Sequence, residues 1–200
     1  QSGQIRDVGY ELYQSMLEET ISKIRGGQID VLTSVDNQWS PQINLGVSVL
    51  IPETYVADLD VRLGLYRRLS NLSKKVEFEG FAAELIDRFG KIPPEVNTLL
   101  LVVRIKSVCK KAGIGKLDGG PKGATLQFYN DKFISPEGLV EFIKNQNGLA
   151  KIKDNKLIIK RDWKKNSDKF KGAFSIARDL AEIAASYENN PPSNTKHIPL

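Results

Sequence analysis

Two hundred residues, 40 % hydrophobic and 26 % charged, suffice for one large domain or a domain with appendages, in the proportions of an ordinary folded chain. No uninterrupted apolar run approaches the ~20 residues of a membrane span, and the opening residues carry no charged-then-apolar pattern, so a cytoplasmic chain with no membrane partner is expected. A single cysteine, Cys109, excludes an internal disulfide, a single histidine, His197, argues against histidine-centred chemistry, and the net charge of +5 admits an anionic partner without requiring one.

The chain opens on Gln1-Ser2-Gly3 without an initiator methionine, which reads as a piece of a longer protein, a processed terminus being the other reading. Ile5, Val8, Leu12, Met16, Ile21 and Ile24 recur at helical spacing until Gly26-Gly27 stops the pattern. Residues 1–27 are therefore expected as an amphipathic helix leaving a neighbouring domain, and 28–41 as a linker. Residues 42–186 should form the folded unit and 187–200 a flexible tail.

Within that unit, Ile43, Leu45 and Val47 alternate with Asn44 and Gly46 as in a half-buried strand, and Pro52 closes an extended apolar segment. Asp58 suits the cap of a helix with two apolar stripes: Leu59, Leu63 and Tyr66, then Val61, Leu65, Leu69 and Leu72. Two stripes predict a helix held between layers. Arg62, Arg67 and Arg68 fill part of the remainder, with pairing to nearby acids as their expected use.

The next helix, from about Val76, sets Phe78, Phe81, Ala82, Leu85 and Phe89 in one stripe at ~100° per residue. Glu84 and Asp87 are neighbours pointing away from it, and Glu84 precedes Arg88 by four residues, the favourable order for an ion pair. Such a face is either a solvated, salt-bridged surface or an anionic patch for a basic partner. Spacing does not separate the two.

Gly90 ends that helix and Pro93-Pro94 opens another, reaching to about Ala112. It carries Leu101, Ile105, Val108 and Ala112 on one side and Val96, Leu99 and Val103 on another, so it should be the core of the domain. Cys109 falls on its apolar surface and reads as an inert thiol. Gly115–Asp118 and Gly123–Tyr129 read as paired strands, Ser135-Pro136-Glu137 as a helix start, and Leu149–Lys153 with Lys156–Lys160 as a hairpin about Asp154-Asn155. A last helix is expected from about Ser167 to Ser186. Helices in a block followed by hairpins predict an α+β fold, a helical layer packed against a small, mostly antiparallel sheet built from hairpins.

No P-loop and no Cys/His constellation occur, and no carboxylate pair is marked as desolvated in a cleft. The chain by itself is expected to be non-enzymatic and to hold no cofactor or metal. A rival to a docking role is nucleic-acid contact through Lys151, Lys153, Lys156, Lys160 and Arg161, a cluster continued by Lys164, Lys165, Lys169 and Lys171. Only Trp163 and Phe170 stand nearby to stack on bases, and a solvated sheet face is the other use of such a cluster.

Several segments together resemble a known family. Val8-Gly9-Tyr10-Glu11-Leu12-Tyr13 and Met16-Leu17-Glu18 resemble the exit from the motor of bacterial transcription-repair coupling factors. Asn44-Leu45-Gly46, Leu50-Ile51-Pro52, Arg62-Leu63-Gly64-Leu65-Tyr66-Arg67-Arg68-Leu69 and Glu84-Leu85-Ile86-Asp87-Arg88-Phe89-Gly90 resemble the C-terminal (TRCF) domain of that family, and Gly113-Ile114 with Lys116-Leu117 continues the match. The resemblance implies a parent that translocates on double-stranded DNA using ATP and Mg, displaces stalled RNA polymerase, and recruits UvrA, the damage-recognition subunit of the excision nuclease. It further implies that this domain docks on the parent's N-terminal UvrB-like module, hides the recruiting surface and restrains the motor. In the family motif the docking face takes in the positions of Glu84 and Asp87, with Arg88 following them.

Overall fold

A computed structural model describes residues 39–47 and 49–189. The helix expected over 1–27, nearly all of the 28–41 linker and residues 190–200 of the tail lie outside them. The elements in order are β1 (Gln42–Asn44), α1 (Leu59–Ser70), α2 (Lys75–Phe89), α3 (Pro94–Lys111), β2 (Ile114–Gly120), β3 (Gly123–Phe128), a 3-10 turn (Tyr129–Asp131), α4 (Pro136–Asn145), β4 (Ala150–Lys153), β5 (Lys156–Lys160) and α5 (Asn166–Asn189).

Local chemistry accounts for most boundaries. The Asp58 carboxylate accepts from the Val61 N–H at 2.9 Å, capping α1. Ahead of α2, the Glu77 carboxylate reaches back to the Ser73 and Lys74 N–H groups at 2.8 and 3.0 Å, and those donors hold its carboxyl below the usual carboxylate range. Ser135 Oγ accepts from the Gly138 N–H at the start of α4. Asp154 and Asn155 both take positive φ, 51° and 57°, as a tight two-residue hairpin turn requires.

The strands form one sheet in the order β1-β2-β3-β5-β4, with β1 parallel to β2 and the other pairs antiparallel. Its inward row, Ile43–Leu117–Leu126–Leu157, is apolar, and Ile152 continues it on the edge strand β4, where it is exposed. The α+β expectation holds, with helices against a mainly antiparallel sheet built from two hairpins.

Helix α3 is the shared element. Val96, Leu99 and Val103 join Leu65, Leu69, Phe78, Phe81 and Leu85 in a core with α1 and α2. Ile105, Cys109 and Ala112 join Leu117, Leu126, Leu157, Ile159, Ala173 and Leu180 in a second core with the sheet and α5. Three sequence expectations need correction. Leu101 is 45 % exposed, because the buried sides of α3 are set by its two partners and Leu101 lies between them and solvent. Leu59 is 54 % exposed and α1 buries one face only, Arg62, Leu65, Tyr66 and Leu69. The strand expected to run on through Val47 ends at Asn44, where Gly46 turns the chain at φ 63°.

The buried cation on α1 has a full set of partners. Arg62 donates to the Val56 and Ala57 carbonyls at 2.6 and 3.0 Å and pairs with Glu53 at 2.9 Å. Tyr66 accepts the Ile51 N–H at 2.6 Å. Both contacts fix the turn-containing 51–57 segment onto the helix, which explains why a polar residue stands where the apolar period would be interrupted.

Replacing Leu99, fully buried, by alanine should lower the unfolding free energy by about 2–5 kcal/mol. Leu101→Ala should cost less than about 1 kcal/mol. Denaturant titration of the two variants checks the assignment, and equal losses would contradict it.

Candidate functional site

The α2 stripe folds as the spacing predicts: Phe78, Phe81 and Leu85 are buried and Phe89 is half-buried. Burial of these rings and the leucine, each worth about 1.5–3 kcal/mol relative to exposure, fixes the rotation of the helix and turns the opposite side outward. The end of the helix is pinned by a residue that spacing did not single out. Tyr55 meets Phe89 edge-on, with ring centroids 5.8 Å apart, and its hydroxyl donates to the Leu85 and Gly90 carbonyls at 3.1 and 3.0 Å. Burial raises the Tyr55 pKa from its ordinary value.

On the outward side the two carboxylates differ. Glu84 is held by Arg68 of α1 in a two-pronged pair, Nη1 to Oε1 at 2.7 Å and Nη2 to Oε2 at 2.5 Å. Arg88 adds a third bond, Nη1 to Oε1 at 2.9 Å. The Arg68 hydrogen bonds first, and the Arg88 bond second, lower the Glu84 pKa to about 2. Both guanidinium groups also lie over rings, Arg68 over Phe81 at 5.2 Å and Arg88 over Phe89 at 4.9 Å. Asp87, one turn on, is exposed and has no ion-pair partner among the described residues. Ile86 beside it is 54 % exposed.

The sequence-expected trio Glu84, Asp87 and Arg88 is therefore on one face, as the spacing placed it. The face also contains Arg68, sixteen residues earlier; Ile86, about 200° from both Glu84 and Arg88 at ~100° per residue, is exposed on the other flank of Asp87. The Arg68 contact crosses the α1–α2 turn and has no periodic signal. Ile86 was legible as an apolar residue off the stripe of its own helix. Arg68, Glu84 and Arg88 make one ion-paired cluster on one flank of α2, and Asp87 and Ile86 are exposed beyond it.

The basic cluster is divided by the fold. Lys151, Lys153, Lys156 and Lys160 are exposed on the β4–β5 hairpin. Arg161 is half-buried and committed to the chain itself: it donates to the Lys160 carbonyl at 2.8 Å and to Gln146 Oε1, tying the end of β5 to the end of α4. That corrects its expected place among the free phosphate ligands. Lys169 is buried, and Lys164 pairs with Asp162 at 3.4 Å. Trp163 and Phe170, the two rings near the cluster, are core residues. A Cβ on Gly172 would lie 2.3 Å from Trp163 Cζ2, so the indole packs flat against the α5 backbone and is not free to stack on a base.

Among the described residues no group of three or more His, Cys, Asp or Glu side chains is placed to hold a metal ion, and no helix is long and apolar enough to cross a membrane. Burial pushes the Cys109 thiol up to about 12, so it stays protonated and inert.

The Glu84 carboxylate generates a pH prediction. Its folded pKa is depressed below an unfolded value of about 4.3, so its contribution is complete above that value and is lost as pH falls toward about 2. Glu84→Gln should remove that part of the acid sensitivity while lowering stability at pH 7 by no more than about 1 kcal/mol, the scale of an accessible ion pair. Unfolding curves of both proteins between pH 2 and 7 measure it; an unchanged acid limb in the variant would contradict the assignment.

A family model described as the TRCF domain matches residues 45–139, a range that contains the whole α1–α2 face. The transcription-repair-coupling factor of Rickettsia conorii is 46 % identical over 159 residues, 79 % of this chain and 14 % of that protein. The transcription-repair-coupling factor of Escherichia coli is 31 % identical over 146 residues, 73 % of this chain and 13 % of that protein. The chain thus spans only a small part of the length of these relatives. The crystal structure of the C-terminal domain of a transcription-repair coupling factor matches with a TM-score of 0.59 at 21 % identity, covering 74 % of this chain and 95 % of that one, a likeness of fold.

Proposed function

From the premise that this chain belongs to the transcription-repair-coupling-factor family and carries its TRCF domain, we propose that it is a non-catalytic regulatory domain in DNA repair that docks through the outward face of α2. Its partner in this reading is the N-terminal UvrB-like module of the same protein, and docking keeps the parent autoinhibited by masking the surface that recruits UvrA. The parent's other activities fall to its remaining domains: binding of ATP and Mg, translocation on double-stranded DNA, and displacement of stalled RNA polymerase in transcription-coupled nucleotide excision repair.

The observation that supports docking is the pairing of Asp87, exposed and without an ion-pair partner among the described residues, with the half-exposed Ile86, inside the matched range. An interface uses both: an apolar anchor for burial and a charge for register and partner choice. Glu84 serves differently. With Arg68 and Arg88 already on both its oxygens, it orders the two guanidinium groups on its own flank of α2.

The test is carried out in the full-length parent. Glu84→Arg with Asp87→Arg should loosen docking and increase association with UvrA. If the reversed protein recruits UvrA no better than the wild type, the docking role is wrong. The division of labour between the carboxylates is measured separately: Asp87→Arg alone should weaken docking at least about tenfold, whereas Glu84→Gln should weaken it less than about fivefold. Equal effects would remove the distinction.

A further inference from the structure

The sheet has a second face that the docking surface does not use. Counting outward residues across the strands gives one complete row, Gln42–Lys116–Gln127–Lys156–Lys153, and another, Asn44–Asp118–Thr125–Ile158–Lys151. Lys160, opposite Gly123, extends the same face by one step. Lys116, Lys151, Lys153, Lys156 and Lys160 are all exposed. Lys116 pairs with Asp118 at 3.5 Å, and the other four have no ion-pair partner among the described residues. Asp118 is the acid on the face itself; Asp131, which accepts from Gln127, and Asp154 at the hairpin tip stand on its rim.

Edge protection explains only part of this pattern. Lysines on β4, an edge strand, discourage pairing with another chain. Lys116 and Lys156 stand on interior strands, where no such need exists. Lys153 is also directly opposite Lys156, a like-charge pair that costs the sheet stability. A face that carries lysines on interior strands and keeps a repulsive pair next to the hairpin turn is set up for an external anion.

We infer that this open sheet face binds the phosphate backbone of duplex nucleic acid without reading its sequence. The row from Lys116 to Lys153 crosses three strand spacings, about 14 Å, wide enough to face several of the closely spaced charges of a duplex. Neutral donors alternate with the lysines in that row, as backbone contacts require. At one end lies a shallow depression of about 670 Å³ whose lining includes Asn44, Lys122, Thr125 and Lys160, with Asp118 and Ile158 also on it. No aromatic side chain lies in either row, which disfavours a single strand that would need stacking. The half-buried Ile158 is the one aliphatic group in the rows, which disfavours an acidic protein seeking a desolvated anchor. This surface differs from the cluster that runs on in sequence to Lys171: it gains Lys116 from β2 and loses Arg161, Lys164, Lys165, Lys169 and Lys171.

The inference is independent of the α2 docking reading and is tested on the chain alone. Fluorescence anisotropy with a labelled random-sequence duplex should show binding that weakens about 100-fold between roughly 50 and 200 mM salt, the dependence for about four phosphate contacts. Lys151→Glu/Lys153→Glu/Lys156→Glu should reduce affinity more than tenfold and flatten the salt slope, and the three lysine-to-glutamine changes should do so less steeply. Lys164→Glu/Lys171→Glu, off the face, should leave both unchanged. Melting curves confirm that each variant folds. No binding at low salt, equal weakening by the off-face pair, tighter binding to a single strand of equal length, or tighter binding to polyglutamate than to duplex would each overturn it.

Discussion

Everything in this domain is referred to one constraint, the burial of α3 on two sides at once. Val96, Leu99 and Val103 close the core under α1 and α2, while Ile105, Cys109 and Ala112 close the core against the sheet and α5. Neither layer has an apolar face it can cover alone, so the helical corner and the sheet hold their places only through this shared element. The same helix explains why the molecule presents two unrelated outward surfaces. Each layer spends one side on α3 and leaves the other to solvent.

In the helical corner, polar groups finish what hydrophobic burial begins. Burial of Phe78, Phe81 and Leu85 sets the rotation of α2, and Tyr55 then pins its end by bonding the Leu85 and Gly90 carbonyls. Arg68 spans from α1 to Glu84 while resting on the Phe81 ring. Two carboxylates of one motif thereby acquire different chemistry. Glu84 is occupied by its own chain and Asp87 is left for something else.

In the sheet layer, the period of two separates an apolar inward row from an outward face whose one aliphatic group on the interior strands is Ile158. Leu117, Leu126 and Leu157 face the helices, and Lys116, Gln127 and Lys156 face away. Charge concentrated by this alternation is a different property from charge concentrated along the chain, because register rather than sequence distance decides which lysines are neighbours. Lys116 and Lys156, far apart in sequence, end up in one row.

Periodicity by itself determined the helices, the two hairpins, the inward stripe of α2 and the outward placing of Glu84, Asp87 and Arg88, because each is a local property of successive side chains at a fixed backbone repeat. The Asp58 cap, the Asp154-Asn155 turn and the Ser135-Pro136 helix start are local in the same sense. Leu101 and Leu59, both apolar and both off the true core, show the limit: a helix pattern reports which sides can be buried, and the neighbouring layer decides which are. Arg68 on Glu84, Tyr55 on the end of α2, Arg161 on Gln146 and Lys116 in one row with Lys156 were settled only by the tertiary structure. Each joins elements whose separation is bridged by a turn or a strand register, and those are fixed by global packing rather than by any repeat along the chain.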